Sequence, residues 1–181
     1  MRAVLKVLFV LVAVVFAAGF SFAQNVDLDK AFAELRRTDS GAVVLAAERR
    51  IWDLWMESGS KDQNELLLKA TNAMGTRDFV ASEEILNTLV KQTQSFAEAY
   101  NKRATLYFLM GRLQDSLNDV ETTLELEPRH FGALSGRGMI LQQQGKKVEA
   151  LKAFEEALEI NPHMPGAKFA VKQLRAEFPD L

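Results

Sequence analysis

Shifted against itself by 34 residues, the chain superimposes Ala97–His130 on Phe131–Met164 without a gap, and that register constrains the fold more than any other feature. Ala99 meets Ala133, Arg103 meets Arg137, Gly111 meets Gly145, Leu117 meets Leu151, Leu124 meets Leu158 and Pro128 meets Pro162. Identity spread over a whole unit of this period marks stacked supersecondary units, each unable to bury its apolar face alone. A further shift back gives a more divergent unit, Gln63–Phe96, in the same register.

Within each unit, apolar residues recur at helical spacing. Leu117, Val120 and Leu124 form one stripe, and Leu151, Phe154 and Leu158 form its counterpart. Ala70, Ala104 and Gly138 are small where two helices must approach closely. Gly111 and Gly145 supply the permissive backbone that ends a first helix. The first unit has Arg77 in that slot, which predicts a different turn there. Pro128 and Pro162 fall between units, where a residue lacking an amide hydrogen stops a helix.

These slots resemble the tetratricopeptide repeat, with Leu134, Arg137-Gly138, Leu141, Ala150, Phe154 and Pro162 in the last unit. The middle unit carries Tyr100, Arg103-Ala104, Tyr107, Ser116, Val120 and Pro128. The first carries Leu66, Lys69-Ala70, Ala73, Ser82 and Leu86, with Gln94 in the proline slot. The resemblance implies an all-α solenoid of helical hairpins, with units at 63–96, 97–130 and 131–164. A capping helix within 165–181 would present Ala167, Ala170, Val171, Leu174 and Phe178 to the stack.

Residues 24–62 read as a helical pair, Leu28–Arg36 and Ser40–Ser58, with Asp39 or Ser40 as N-cap and Gly59 just past the end. This pair is expected to cover the open end of the first unit, with Trp52 and Trp55 as packing residues. In layout the chain resembles small exported tetratricopeptide proteins of alphaproteobacteria. Arg2 and Lys6, the apolar run Val7–Phe20 and the small-residue site Ser21-Phe22-Ala23 read as a signal peptide cleaved before Gln24, the alternative being a retained anchor. The expected location is therefore periplasmic, or membrane-anchored without cleavage.

Composition narrows the functional classes. With no Cys among 181 residues, neither disulfides nor thiolate chemistry is available. Loss of residues 1–23 removes two of 22 cations and none of 24 acids, taking the formal charge from -2 to -4, without the basic footprint of a nucleic-acid binder. His130 and His163 read as exposed junction residues rather than metal ligands, and Glu83-Glu84 and Glu155-Glu156 as solvated faces. Lys69, Arg103 and Arg137 recur where the repeat pattern has Leu, and are expected to pack their stems and pair with carboxylates. The glycines around Ser135 have neither phosphate-loop nor nucleophile-elbow spacing.

These residues form no catalytic, metal or cofactor site, and the expected role is a non-catalytic protein- or peptide-binding scaffold. The alternative is a structural subunit that docks through its ends and convex face. In the family, ligands lie in a groove lined by the first helix of each hairpin. By slot, the candidates are Leu67, Leu68, Thr71 and Met74; then Asn101, Lys102, Thr105, Phe108 and Leu109; then Ser135, Met139, Gln142 and Gln143. The slots of the family's carboxylate clamp hold Leu67, Thr71, Lys102, Gly132 and Gly136, of which Lys102 alone could serve. An extended or helical peptide held by apolar anchors such as Phe108 and Met139 fits better, with Asn101, Gln142 and Gln143 bonding its backbone. No nucleic acid is expected as a partner, nor a membrane once the signal is removed.

Overall fold

The computed structural model describes residues 25–178, which divide between Lys61 and Asp62 into two compact units. The proposed signal segment lies outside the described residues. Among them there are nine helices and no strand: α1 (25–37), α2 (Gly41–Trp55), α3 (Lys61–Gly75), α4 (Phe79–Gln92), α5 (Ala97–Leu109), α6 (Leu113–Leu126), α7 (Phe131–Gln143), α8 (Lys147–Ile160) and α9 (Pro165–Glu177). None of these helices is long and apolar enough to cross a membrane.

In the first unit, Leu28, Ala31, Phe32 and Leu35 of α1 are buried, as are Val44, Ala47, Ile51, Leu54 and Trp55 of α2. Trp55 packs on Phe32 with ring centroids 6.0 Å apart and meets Trp52 edge-on at 5.2 Å. The expected side-chain cap from Ser40 is not made; its backbone N–H instead donates to the Thr38 hydroxyl at 3.0 Å.

The second unit is a run of helical hairpins, α3–α4, α5–α6 and α7–α8, followed by α9, with neighbouring hairpins in contact along α4–α5, α6–α7 and α8–α9. The same turn is built three times. The amides of Asp78, Arg112 and Lys146 donate to the carbonyls of Ala73, Tyr107 and Leu141, and those of Arg77, Gly111 and Gly145 to Met74, Phe108 and Gln142. This double bond pattern needs one left-handed residue, supplied by Gly111 at φ 74°, Gly145 at φ 78° and Arg77 at φ 64°. The expectation of a different first turn is thus corrected: Arg77 accepts the glycine conformation, at a steric cost of order 1 to 2 kcal/mol.

Small residues set how closely the hairpins close. In the first two, a buried hydroxyl on the second helix donates across to a carbonyl of the first, Ser82 to Ala70 at 3.0 Å and Ser116 to Ala104 at 2.7 Å. In the third, Ala150 replaces that serine and the approach is made at Gly138, where a Cβ would lie 2.8 Å from three ring carbons of Phe154. Phe154 joins Ala150, Leu151, Ala167 and Leu174 in a core that carries α9, with Ala170 and Val171 packed against it.

Candidate functional site

Two of the three recurring cations, Arg103 and Arg137, reach across to the preceding hairpin. Arg103 makes a two-pronged contact with Asp119 on α6, both bonds 2.7 Å, and reaches Asn87 on α4 at 2.9 Å. Its guanidinium also lies between the rings of Tyr100 and Tyr107, each at 5.7 Å. Arg137 pairs with Glu156 and lies 3.7 Å from Glu121, while Lys69 is exposed. Glu83 and Glu155 meet Arg112 and Arg175. No group of three or more potential metal ligands occurs among the described residues.

A cleft of about 230 Å³ lies between the second and third hairpins. One wall comes from Asn101, Ala104, Thr105 and Phe108 of α5, the other from Gly132, Ser135, Gly136, Met139 and Ile140 of α7. Ser116 and Val120 of α6 and Met164 complete it. The spacing of three or four along each first helix puts one face of each towards the same space. Apolar surface dominates, and Met139, 47% exposed, offers a flexible thioether. Gly136 opens the wall, since a Cβ there would meet nothing within 4 Å.

The cleft thus gathers Asn101, Thr105, Phe108, Ser135 and Met139 from the sequence-derived candidates, and leaves the others outside its lining. Leu67 is fully buried and Met74 nearly so, which removes both from any ligand-facing role. Thr71 is half-buried with its hydroxyl on the Leu67 carbonyl at 2.8 Å, and Leu68 is exposed. Lys102 is turned about 100° around α5 from Asn101 and meets Glu98, with Nζ to Oε1 at 2.9 Å. Leu109, Gln142 and Gln143 are exposed in the last turns of their helices, away from the lining.

Beneath the cleft lies a group that slot reasoning missed. His130, expected to be exposed, is fully buried: its Nδ1 accepts the Ala133 amide at 3.0 Å and so caps α7. That bond requires Nδ1 to be bare in neutral imidazole, which puts the proton on Nε2, 2.9 Å from Glu98 Oε2. The same carboxylate oxygen accepts from Asn101 Nδ2 at 2.9 Å. Burial pushes the Glu98 carboxyl up, but the His130 hydrogen bond and the Lys102 charge outweigh it, and the net displacement is below the ordinary 4.5. His130 shares its junction slot with Phe96 and Met164, both apolar; that register was the available signal for burial. His163 is half-buried, its amide held by Asn161 Oδ1 at 2.9 Å.

The tetratricopeptide repeat family model matches residues 132–164. A TPR repeat-containing protein of Rhizobium etli is 37% identical over 135 residues, covering 75% of this chain, and the chain spans 66% of that relative's length. Against DnaJ homolog subfamily C member 3 of Bos taurus, 37% identical over 76 residues, it matches 42% of its own length and 15% of the relative's. Among solved structures, the first TPR of Spaghetti bound to an HSP90 peptide, SRMEEVD, aligns with TM-score 0.63 at 18% identity, over 67% of this chain and 96% of that one. The Yersinia enterocolitica type III secretion chaperone SycD, in complex with a peptide of the translocator YopD, aligns with TM-score 0.60 at 12% identity, over 67% and 98%. Those two likenesses speak for the fold. The gapless 34-residue register, the thrice-repeated hairpin turn and the Rhizobium relative carry the rest: the chain belongs to the tetratricopeptide repeat proteins.

Proposed function

We propose that this protein is a non-catalytic scaffold that holds an apolar peptide segment of a partner protein in the cleft between α5 and α7, acting in the bacterial cell envelope after export. The observation that carries this reading is the cleft itself: a mostly apolar, partly open space with Phe108 and Met139 on facing walls. Such a surface gains by removing partner side chains from water, and its polar groups orient a backbone. Solved relatives in fold that hold peptides support the class of ligand. The export half of the proposal rests on Arg2, Lys6 and the run Val7–Phe20, and intact-mass measurement of the cell-derived protein checks it through a new amino terminus at Gln24.

The cleft half is tested by affinity recovery of crosslinked envelope proteins on wild type and on a Phe108→Asp, Met139→Asp variant of equal helicity. A partner recovered by wild type and lost from the variant is the expected result; identical recovery on both rejects the cleft. A second reading, docking through an end of the stack, is favoured by Phe169, which stands 64% exposed on α9. Phe169→Asp would then abolish partner recovery or self-association while the cleft variant left them intact.

A further inference from the structure

The buried group under the cleft decides what the cleft can recognise. Asn101 is the residue common to both: it lines the cleft, is 8% exposed, and donates through Nδ2 to Glu98. A side-chain amide can be turned by 180° about its last bond, exchanging donor for acceptor, and its orientation follows from its neighbours. Here the neighbour is a carboxylate, which only accepts. Turned the other way, Asn101 would set Oδ1 against Glu98 Oε2 at 2.9 Å, two acceptors with no proton between them.

The carboxylate is itself held in its ionised form and position. His130 donates to Oε2 from Nε2, because Nδ1 is committed to the Ala133 amide at the start of α7. Lys102 meets Oε1 at 2.9 Å, and Glu98 is 1% exposed. In this low-dielectric setting a second acceptor against the carboxylate is costly. Asn101 Oδ1 is therefore the end of the amide that Glu98 does not engage.

We infer that Glu98 and His130 fix Asn101 as a hydrogen-bond acceptor in the cleft, so that the cleft selects an apolar segment carrying an N–H donor and discriminates against a carboxylate. This rests on the cleft being the binding site. A ligand carboxylate placed there would meet Oδ1 with the Glu98 charge behind it, whereas a main-chain amide or an indole N–H would complete the acceptor while its apolar part lies against Phe108 and Met139. Glu98 and His130 act through Asn101 and are positioning residues.

The experiment uses three probes built on a fused five- and six-membered ring frame on the full chain: indole, benzothiophene, and 1-benzothiophene-2-carboxylate. Binding is followed by NMR at the Met139 methyl and the Asn101 side-chain amide. Indole is expected to bind about three- to tenfold more tightly than benzothiophene, the ratio one neutral hydrogen bond supplies, and the carboxylate more weakly than either. In Glu98→Gln the fixed orientation is released, and the indole preference should fall to twofold or less while benzothiophene binding is unchanged. The three-probe comparison on wild type stands without the variant should Glu98→Gln not fold. Equal binding of indole and benzothiophene to wild type, or tightest binding of the carboxylate, overturns the inference and leaves the cleft a binding site. No response of Met139 to any probe overturns the cleft reading and the inference with it.

Discussion

Gly138 and Gly136 lie one half-turn apart on α7 and should respond to alanine with opposite signs. Both substitutions add about 1 kcal/mol of helix propensity. At Gly136 nothing lies within 4 Å of the new Cβ, so Gly136→Ala should gain close to that full amount. At Gly138 the Cβ would sit 2.8 Å from Cδ1, Cε1 and Cζ of Phe154, well inside the roughly 3.5 to 4.0 Å at which carbon atoms rest. Phe154 is 2% exposed and enclosed by Ala150, Leu151, Ala167 and Leu174, so its ring has little room to retreat. Overpacking of this kind costs about 1 to 3 kcal/mol, which meets or exceeds the propensity gain and makes Gly138→Ala neutral to about 2 kcal/mol destabilising. The other hairpins show the compensation, since the slot pairs there are Ala104 with Val120 and Ala70 with Leu86. Adding Phe154→Leu to Gly138→Ala should therefore cost less than the two single changes summed, with a coupling of about 1 kcal/mol. Urea unfolding followed by circular dichroism measures wild type and the four variants. If Gly138→Ala is stabilised as much as Gly136→Ala, the close approach of α7 and α8 does not limit packing at this site.

Three other predictions follow from contacts of different burial. Arg103→Met should destabilise by about 3 to 5 kcal/mol because Asp119, 5% exposed, is left without its partner, whereas Arg137→Met, whose partners Glu156 and Glu121 are about half exposed, should cost about 1 kcal/mol or less; thermal unfolding compares them. Ionised Glu98 contributes stability that is complete above its ordinary 4.5 and is lost as pH falls through its lower native value, so the gap in midpoint between wild type and Glu98→Gln should narrow below pH 4.5; a gap constant from pH 7 to 3 contradicts this. Arg77→Gly should raise stability by roughly 0.5 to 1 kcal/mol by relieving the left-handed backbone, while Arg77→Val should lower it, in the same urea assay.

How much of this was legible beforehand depends on whether the controlling physics is local. The hairpins, their length and the turns at Gly111 and Gly145 follow from a 34-residue register in which helix periodicity and turn residues recur, and these are properties of near neighbours along the chain. The pairing of Arg103 was foreseeable in kind because a guanidinium in an apolar stripe needs a carboxylate, yet Asp119 was not singled out among the acids of α6. Slot by slot, Asn101, Thr105, Phe108, Ser135 and Met139 could be placed on the inner faces of first helices, and the cleft gathers them. Leu67 occupies an equivalent slot and is buried, because a slot sets a direction and the surroundings set what is met there.

What the amino-acid sequence by itself determined was therefore the repeat, its hairpins and the class of surface their first helices present. Only the tertiary structure decided that Arg77 adopts the glycine turn, that Gly138 yields its space to Phe154, and that His130 is buried against a carboxylate 32 residues earlier in the chain. The reason is physical: a helix needs bonds between residues three or four apart, whereas the charge state, tautomer and amide orientation of Glu98, His130 and Asn101 are settled by which atoms from separate helices share one dry space.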